Sequence, residues 1–504
     1  MSPQLWEAFQ YLLLPSSLGW CFFGVLLGVT VGAIPGLGGG LLMALLLPMT
    51  FAMDNLDAQI LLIGIYVGGV SGSMISAILL GVPGAPSAVM TTMDGHAMCR
   101  KGLAGRALSL GITGSFIGGT IAGVILVFLA VPLASIAIRF QNFDYFAFVV
   151  MGLVLIAFTG EQAPLRGLMA GLFGVFVSTV GFDNVAAASR FTFGVPALMN
   201  GFDILPVLIG AFAIRQILED IQSPPGERAV LSHPTLRDVL RDIGSILRYP
   251  VNLVRSSILG TWIGILPGIG ANIGAIMAYT VTQLTSRNKE EFGKGAEEGV
   301  VSAETGNNAT IGGALVPMLA MGIPGSGQDV LLMAALILHA VEPGPLLVID
   351  HPQIFYGIIG AYFFANVAML IVMILAISWL TRIISVPLFL LLPLVLVFCV
   401  IGVVAANNRL EDAWVMLGFG LIGIFMSWAK MPLAPFVIGF ILGPMAEERL
   451  RSALMSTDGA FLPLFERPIA ASVLGVCTLV ILWPLIWRAI GRRRRSPQPD
   501  KIHP

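Results

Sequence analysis

The chain has 504 residues, of which 57% are hydrophobic and 11% charged, with a formal net charge of −1. Soluble domains carry about 25% charged residues, so a soluble globular protein is excluded, and the near-neutral balance leaves no basic surface for nucleic acid. Many continuous apolar runs reach the ~20 residues that cross a bilayer as helix, without the alternation of a β-barrel, so the expected class is an all-α polytopic membrane protein.

In chain order, "MSPQLWEAFQ" lacks the basic n-region of a cleaved signal peptide, and the apolar run from Leu18 reads as a retained first membrane segment. A long broken helix is expected near 17–48, interrupted by "GAIPGLGGG" (Gly32 to Gly40). The next helix, near 58–80, leads into "LLGVPGAPSAV" (Leu79 to Val89). In "TTMDGHAMCRKGLAGRA" (Thr91 to Ala107), Asp94-Gly95 is a turn signal, while Arg100, Lys101 and Arg106 read as interfacial anchors. Spans come next near 107–138, 146–182 and 197–217, so residues 1–214 form a first membrane half.

Residues 215–253 form a central polar connection holding Arg228, Arg237, Arg241 and Arg248, with "SPPGER" and "SHP" as loop punctuation. The positive-inside rule places this connection in the cytoplasm, together with the basic tail 489–504. No Lys or Arg precedes Arg100, which places the N-terminal region outside. The second membrane half, 254–488, opens with a broken helix near 254–284 carrying "GILPGIGAN", and a helix near 301–321 leads into "AMGIPGSGQDV". Further spans are expected near 329–349, 353–380, 384–405, 411–443 and 466–488, some containing two passes. Pro444 to Phe461 reads as an amphipathic or loop connection.

The halves resemble each other. Gly28, Gly32, Pro35, Gly36 and Gly38 recur 232 positions later as Gly260, Gly264, Pro267, Gly268 and Gly270. The Pro-Gly tips recur at an offset of 241, which sets Gly72 opposite Gly313. The longer loop "TSRNKEEFGKGAEEG" accounts for the difference. Matched interruptions in two halves point to a secondary-transporter site, and the charge bias predicts that the two copies enter the membrane from opposite sides, as inverted repeats with re-entrant tips.

Proline removes a backbone donor and glycine permits unusual backbone conformations, so a break frees polar groups that hydrocarbon cannot satisfy. Half-helix N-termini suit an anion, whereas unwound carbonyls suit a cation. The candidate substrate-binding residues are Pro83, Gly84, Pro86, Ser87, Pro324, Gly325, Ser326, Gly327, Asn307 and Asn308. Candidate ion-binding or site-supporting residues are Pro35, Gly36, Gly38, Gly39, Pro267, Gly268, Gly270, Asn272 and Glu304. In "SAETGNNATIGGALVP" (Ser302 to Pro317), Glu304, Asn307 and Asn308 fall on one helical face. Glu304 would hold a cation or a proton; the alternative is that it caps its helix from the interface near Ser302. The scarcity of Lys and Arg in these motifs favours backbone donors over a basic clamp.

No catalytic residue or cofactor is expected, and Na⁺ is the one metal ion considered. The four cysteines are scattered, and His96, His233, His339, His351 and His503 show no ligand pairing. "GVSG" (Gly69 to Gly72) has the form of a serine-hydrolase motif, with His339 as a conceivable base for Ser71, but no oxyanion context accompanies it. A passive channel or structural membrane subunit is the other alternative, although no ring of like charges is visible.

The two breaks and tips, with "GVPGAPSAVMTTMDGHAMCRKGLAGRAL", "EEFGKGAEEGVVSAETGNNATIGGALVPMLAMGIPGSGQDVLL" and "HAVEPGPLL", resemble the large membrane subunit of the tripartite tricarboxylate transporter family. The resemblance implies a permease of the bacterial inner membrane working with a small membrane subunit and a periplasmic solute-binding protein. It also implies uptake of tricarboxylates or related organic carboxylates, driven by a gradient of Na⁺ or H⁺.

Overall fold

The computed structural model describes residues 3–34, 38–158, 164–183, 188–195, 198–215, 236–266, 270–383 and 409–479, with isolated positions elsewhere. Among the described residues the architecture is helical, apart from one short hairpin. Among the described residues, four helices are long and apolar enough to cross a membrane: Pro15–Gly32, Asn55–Leu80, Ala104–Ala137 and Pro352–Ile377.

The N-terminal half begins with α1 (Pro3–Leu12) and α2 (Pro15–Gly32), whose Pro15 suits a first helical turn because its missing N–H has no partner there anyway. After the break, α3 runs over Gly39–Thr50. Beyond its first turns, which carry Asp57 and Gln59, helix α4 (Asn55–Leu80) is largely apolar or small all round, and it is enclosed by protein along its length. It ends at Gly81, whose φ of 72° is the left-handed conformation that stops a helix. Helix α5 (Val89–Arg100) then leads to α6 (Ala104–Ala137), a 34-residue helix roughly 50 Å long. Asp94-Gly95, expected as a turn, lies inside α5. The reason is tertiary: the Asp94 carboxylate is buried and accepts hydrogen bonds from outside its own helix.

Helices α7 (Asn142–Phe158) and α8 (Pro164–Ser178) divide the expected 146–182 span in two. A short antiparallel hairpin, β1 (Gly181–Asp183) with β2 (Ala188–Arg190), comes next, for which the sequence carries no alternating signal. Helix α9 (Ile204–Ile209) passes directly into a π turn over Gly210–Ile214. Helix α10 (Leu236–Asp242) precedes the second half.

There, α11 (Pro250–Ile265), α12 (Gly270–Thr285), α13 (Glu297–Met321) and α14 (Gly327–Leu338) repeat the order of α2 to α5. Helix α13 ends at Gly322 with φ 71°, 241 positions after Gly81. Helix α15 spans Pro352–Ile383, α16 Glu411–Trp428 and α17 Leu433–Met455. The expected 411–443 span is therefore two helices, and the second continues as helix through Pro444, in place of the expected connection. Most of the expected 384–405 span, and the tail 489–504, lie outside the described residues.

The halves share one packing register. A Cβ on Gly28 would lie 2.5 Å from the Ile65 carbonyl oxygen, and one on Gly260 2.3 Å from that of Gly306. Gly32 meets the Gly69 oxygen at 2.3 Å and Gly264 the Thr310 oxygen at 2.3 Å. Gly72 meets Val29 and Gly313 meets Thr261 in the same manner, at 2.5 and 2.2 Å. Every one of these pairs maps onto its counterpart by the offsets 232 and 241. Small residues let broken and hub helices touch backbone to backbone, as membrane helices do when packing rather than hydrophobicity drives association.

The long helix after each tip crosses to the opposite half. Helix α6 packs on α13 and α11, while α15 packs on α4 and α2. Gly118 of α6 admits the Thr305 carbonyl oxygen to 2.2 Å of where a Cβ would stand. The main apolar core therefore runs through both halves, with two small satellite clusters beside it.

Candidate substrate cavity and the buried polar hub

Each tip is a proline-glycine turn folded back onto the end of its own broken helix. A Cβ on Gly84 would sit 2.1 Å from the Gly32 carbonyl oxygen, and one on Gly325 3.0 Å from that of Gly264. The Gly84 N–H donates to the Ser73 carbonyl at 3.3 Å, pinning the first tip to α4. The second tip is held by side chains. Ser326 donates to Asp329 Oδ2 at 2.7 Å, accepts from the Asp329 N–H at 3.3 Å, and lies 2.9 Å from the Tyr66 hydroxyl. Its counterpart positions in the first tip are Ala85 and Ala88, so the two tips are built alike but secured differently.

The tips also differ in exposure. Val82 and Val89 are 48% and 41% exposed, whereas their counterparts Ile323 and Val330 are 1% and 0% exposed. The first tip borders open space and the second is packed.

Both tips meet at one cavity of about 570 Å³. Its wall consists of Gly38, Gly40 and Leu41 from the first break, and Pro83, Gly84, Ala85, Pro86 and Val89 from the first tip. Gly327 and Gln328 of the second tip, with Phe212 and Arg215 from the π turn and the residue after it, complete it. Three helix N-termini face this space, those of α3, of α5 with its leading 3₁₀ turn Pro86–Ala88, and of α14. Helix N-termini carry positive partial charge and spare N–H donors, which suits an anion. A separate hollow of about 490 Å³, lined by Met169, Phe173, Leu421, Ile422, Phe425, Met426 and Met431, is wholly apolar and has the chemistry of a lipid tail's surroundings.

The cavity gathers Pro83, Gly84, Pro86, Gly327 and Gly38 from the residues expected in the sequence. Gly39, beside Gly38, packs instead against Gly69, where a Cβ would be 2.9 Å from its Cα. Ser87, Pro324, Gly325 and Ser326 are buried behind the wall. Pro35, Gly36, Pro267 and Gly268 lie outside the described residues; Gly270 opens α12, and the side chain of Asn272 is likewise outside what the structure describes.

Glu304, Asn307 and Asn308 form a second centre, in the buried seam between the halves. The Ser71 hydroxyl donates to Asn308 Oδ1 at 2.7 Å, and the Asn308 amide donates to the Glu304 carbonyl at 3.3 Å. The two Glu304 carboxylate oxygens accept from Thr91 and Ser115, at 2.5 and 3.1 Å. Glu304 lies about two turns inside α13 and is fully buried, so the interface-cap alternative does not hold. The side-chain amide of Asn307 is buried beside the Glu304 carboxylate. Among the described residues, no cluster of three His, Cys, Asp or Glu could hold a metal ion.

Phe212, Arg215 and Gln328 are not among the residues expected from sequence. Gln328 stands beside an expected residue in "GSGQDV" and is within reach of motif reasoning. Arg215 opens the arginine-bearing connection that the charge bias assigns to the cytoplasm. It adds a basic side chain from outside the motifs to a wall whose own motifs carry no Lys or Arg. Nothing in local sequence marks a π turn, which depends on what the helix packs against.

These features define a multi-pass helical membrane protein with two internally matched halves, and with a cavity bordered by the first helix break and both tips. The model of the tripartite tricarboxylate transporter TctA family matches residues 18–438, and the chain belongs to that family of transporter subunits. It is 35% identical over 485 residues to an uncharacterized 52.8 kDa protein in the TAR-I ttuC′ 3′ region of Agrobacterium vitis, covering 95% of each chain. It is also 34% identical over 230 residues to a protein in the TAR-II ttuC′ 3′ region of the same organism, covering 45% of this chain and 95% of that one. No solved structure matches the chain.

Proposed function

We propose that this chain is the permease that carries tricarboxylates or related organic carboxylates across the bacterial inner membrane, coupled to a Na⁺ or H⁺ gradient. Substrate reaches it from a periplasmic binding protein, and a small membrane subunit completes the transporter. The observation that carries this reading is the convergence of both tips and three helix N-termini on one cavity. Its size falls within the roughly 300–1,000 Å³ of small-molecule sites.

The coupling ion is assigned to the Glu304 centre, where a carboxylate, two hydroxyls and neighbouring asparagines supply the oxygen donors that a proton or Na⁺ takes. The arginines of the central connection and of the C-terminal tail, set against the Lys/Arg-free N-terminal region, support halves inserted in opposite directions, with connection and tail in the cytoplasm. The hydroxyl of Ser71 is spent on Asn308, which favours transport over serine hydrolysis.

Proteoliposomes holding the permease, the small subunit and the cognate binding protein test the proposal with labelled citrate and succinate under imposed gradients. Uptake is expected only with an inward Na⁺ or H⁺ gradient. Uptake indifferent to every cation gradient would remove the coupling, and single-channel currents through the purified chain would replace the carrier by a channel.

A further inference from the structure

We infer that Arg215 is the side chain that grips a substrate carboxylate in the cavity between the tips, an assignment that rests on the carboxylate-transport reading. Among the described residues of the cavity wall it is the one with a charge; its neighbours are glycine, alanine, proline and apolar side chains, together with the amide of Gln328. Guanidinium matches a carboxylate with two parallel hydrogen bonds, a geometry that lysine lacks.

The position of Arg215 is built by its surroundings. The π turn Gly210–Ile214 immediately precedes it, and such turns occur frequently at functional sites because the extra residue re-aims the side chains after it. The same turn brings Phe212 to the wall, 3.6 Å from where a Cβ on Gly327 would stand. On the other side, a Cβ on Gly423 of α16 would lie 3.0 Å from the Arg215 Cβ and 3.1 Å from its Cδ. The aliphatic stem is therefore packed against the helix at a glycine, which limits the rotamers that the head must give up on binding. Elsewhere on the wall, Gln328 meets Gly40, whose Cβ would be 3.8 Å from the Gln328 amide nitrogen, leaving amide and helix-end donors for a second polar group of the substrate.

Affinity for labelled citrate and for succinate, measured on the purified full chain in nanodiscs, tests the assignment. Arg215→Gln is expected to weaken citrate by about ten- to a hundredfold, the loss of a charge-assisted pair. Arg215→Lys keeps the charge without the fork and is expected to lose about three- to tenfold. Citrate affinity of Arg215→Gln within twofold of wild type overturns the assignment while leaving the transport reading intact. A wild-type chain that neither binds nor, with its partners, moves any carboxylate overturns the transport reading itself. If Arg215→Gln does not fold, Arg215→Lys decides the matter, and citrate affinity of Arg215→Lys within twofold of wild type overturns the assignment.

Discussion

The hydroxyl of Ser71 donates to the side-chain oxygen of Asn308 across 2.7 Å, and so joins the central helix of one half to that of the other. Both residues are fully buried, which shields the bond from bulk solvent. Ser71→Ala leaves the Asn308 oxygen without its donor, and the expected cost is about 1–3 kcal/mol. Thermal unfolding in detergent checks it, and a Ser71→Ala/Asn308→Ala cycle should show coupling of about 1 kcal/mol; additive effects would mean that the bond contributes nothing.

The duplicated register makes paired predictions. Gly32→Ala and Gly264→Ala each drive a methyl group into a carbonyl oxygen at 2.3 Å, so both should destabilise by about 1–3 kcal/mol. Gly38→Ala meets nothing within 4 Å and has an ordinary φ of −67°, so its stability should stay within about 0.5 kcal/mol of wild type. Melting curves of the three variants separate backbone contact from a general intolerance of side chains in the break.

Asp94 ties the first half to the entrance of α13. Its Oδ1 accepts from the N–H groups of Gly295 and Ala296, and its Oδ2 from the Tyr279 hydroxyl. Asp94→Ala strands two backbone donors and a phenol and is expected to cost about 3 kcal/mol or more, whereas Asp94→Asn keeps one acceptor and should cost less. Hydrogen exchange at Gly295 and Ala296 is the direct readout, and it should rise in Asp94→Ala.

Glu304 tests the coupling assignment. Glu304→Gln preserves shape but gives up the charge and sets an NH₂ group against the Thr91 or Ser115 hydroxyl. The chain should fold, with stability lowered by about 1–3 kcal/mol, and uptake should lose its dependence on the cation gradient. Full gradient dependence in this variant would move the coupling ion elsewhere.

The unequal exposure of the tips predicts unequal labelling. Val89→Cys, on the cavity wall, should react with a soluble maleimide, and citrate should slow that reaction. Val330→Cys, at the equivalent place in the second tip, is fully buried and should stay unlabelled. Equal rates would show that the tips exchange environments rapidly.

How much of this is legible in the sequence depends on whether the signal is local. Glycines and prolines act through their own backbone, so the breaks, the tips and the 232 and 241 offsets can be read directly, and the contacts of Gly28 with Ile65 and Gly260 with Gly306 reproduce them. The left-handed glycines Gly81 and Gly322 are also available as a matched pair, since a glycine closing an apolar helix just before a Pro-Gly turn is a C-cap signal. Asp94-Gly95 misleads because burial against Gly295 and Ala296 overrides a turn preference worth only a fraction of that network.

Composition and periodicity determined the membrane class, the two halves and the broken helices, because each of these is set by residues close together in the chain. Only the tertiary structure decided that α6 and α15 trade partners between halves, that Asn307, Asn308 and Glu304 lie in the seam while the cavity takes Gln328, and that Arg215 reaches that cavity. Those outcomes depend on which helix packs against which. A π turn, a glycine opposite an arginine stem and a hydroxyl facing an amide are properties of the pair, and neither partner carries them alone.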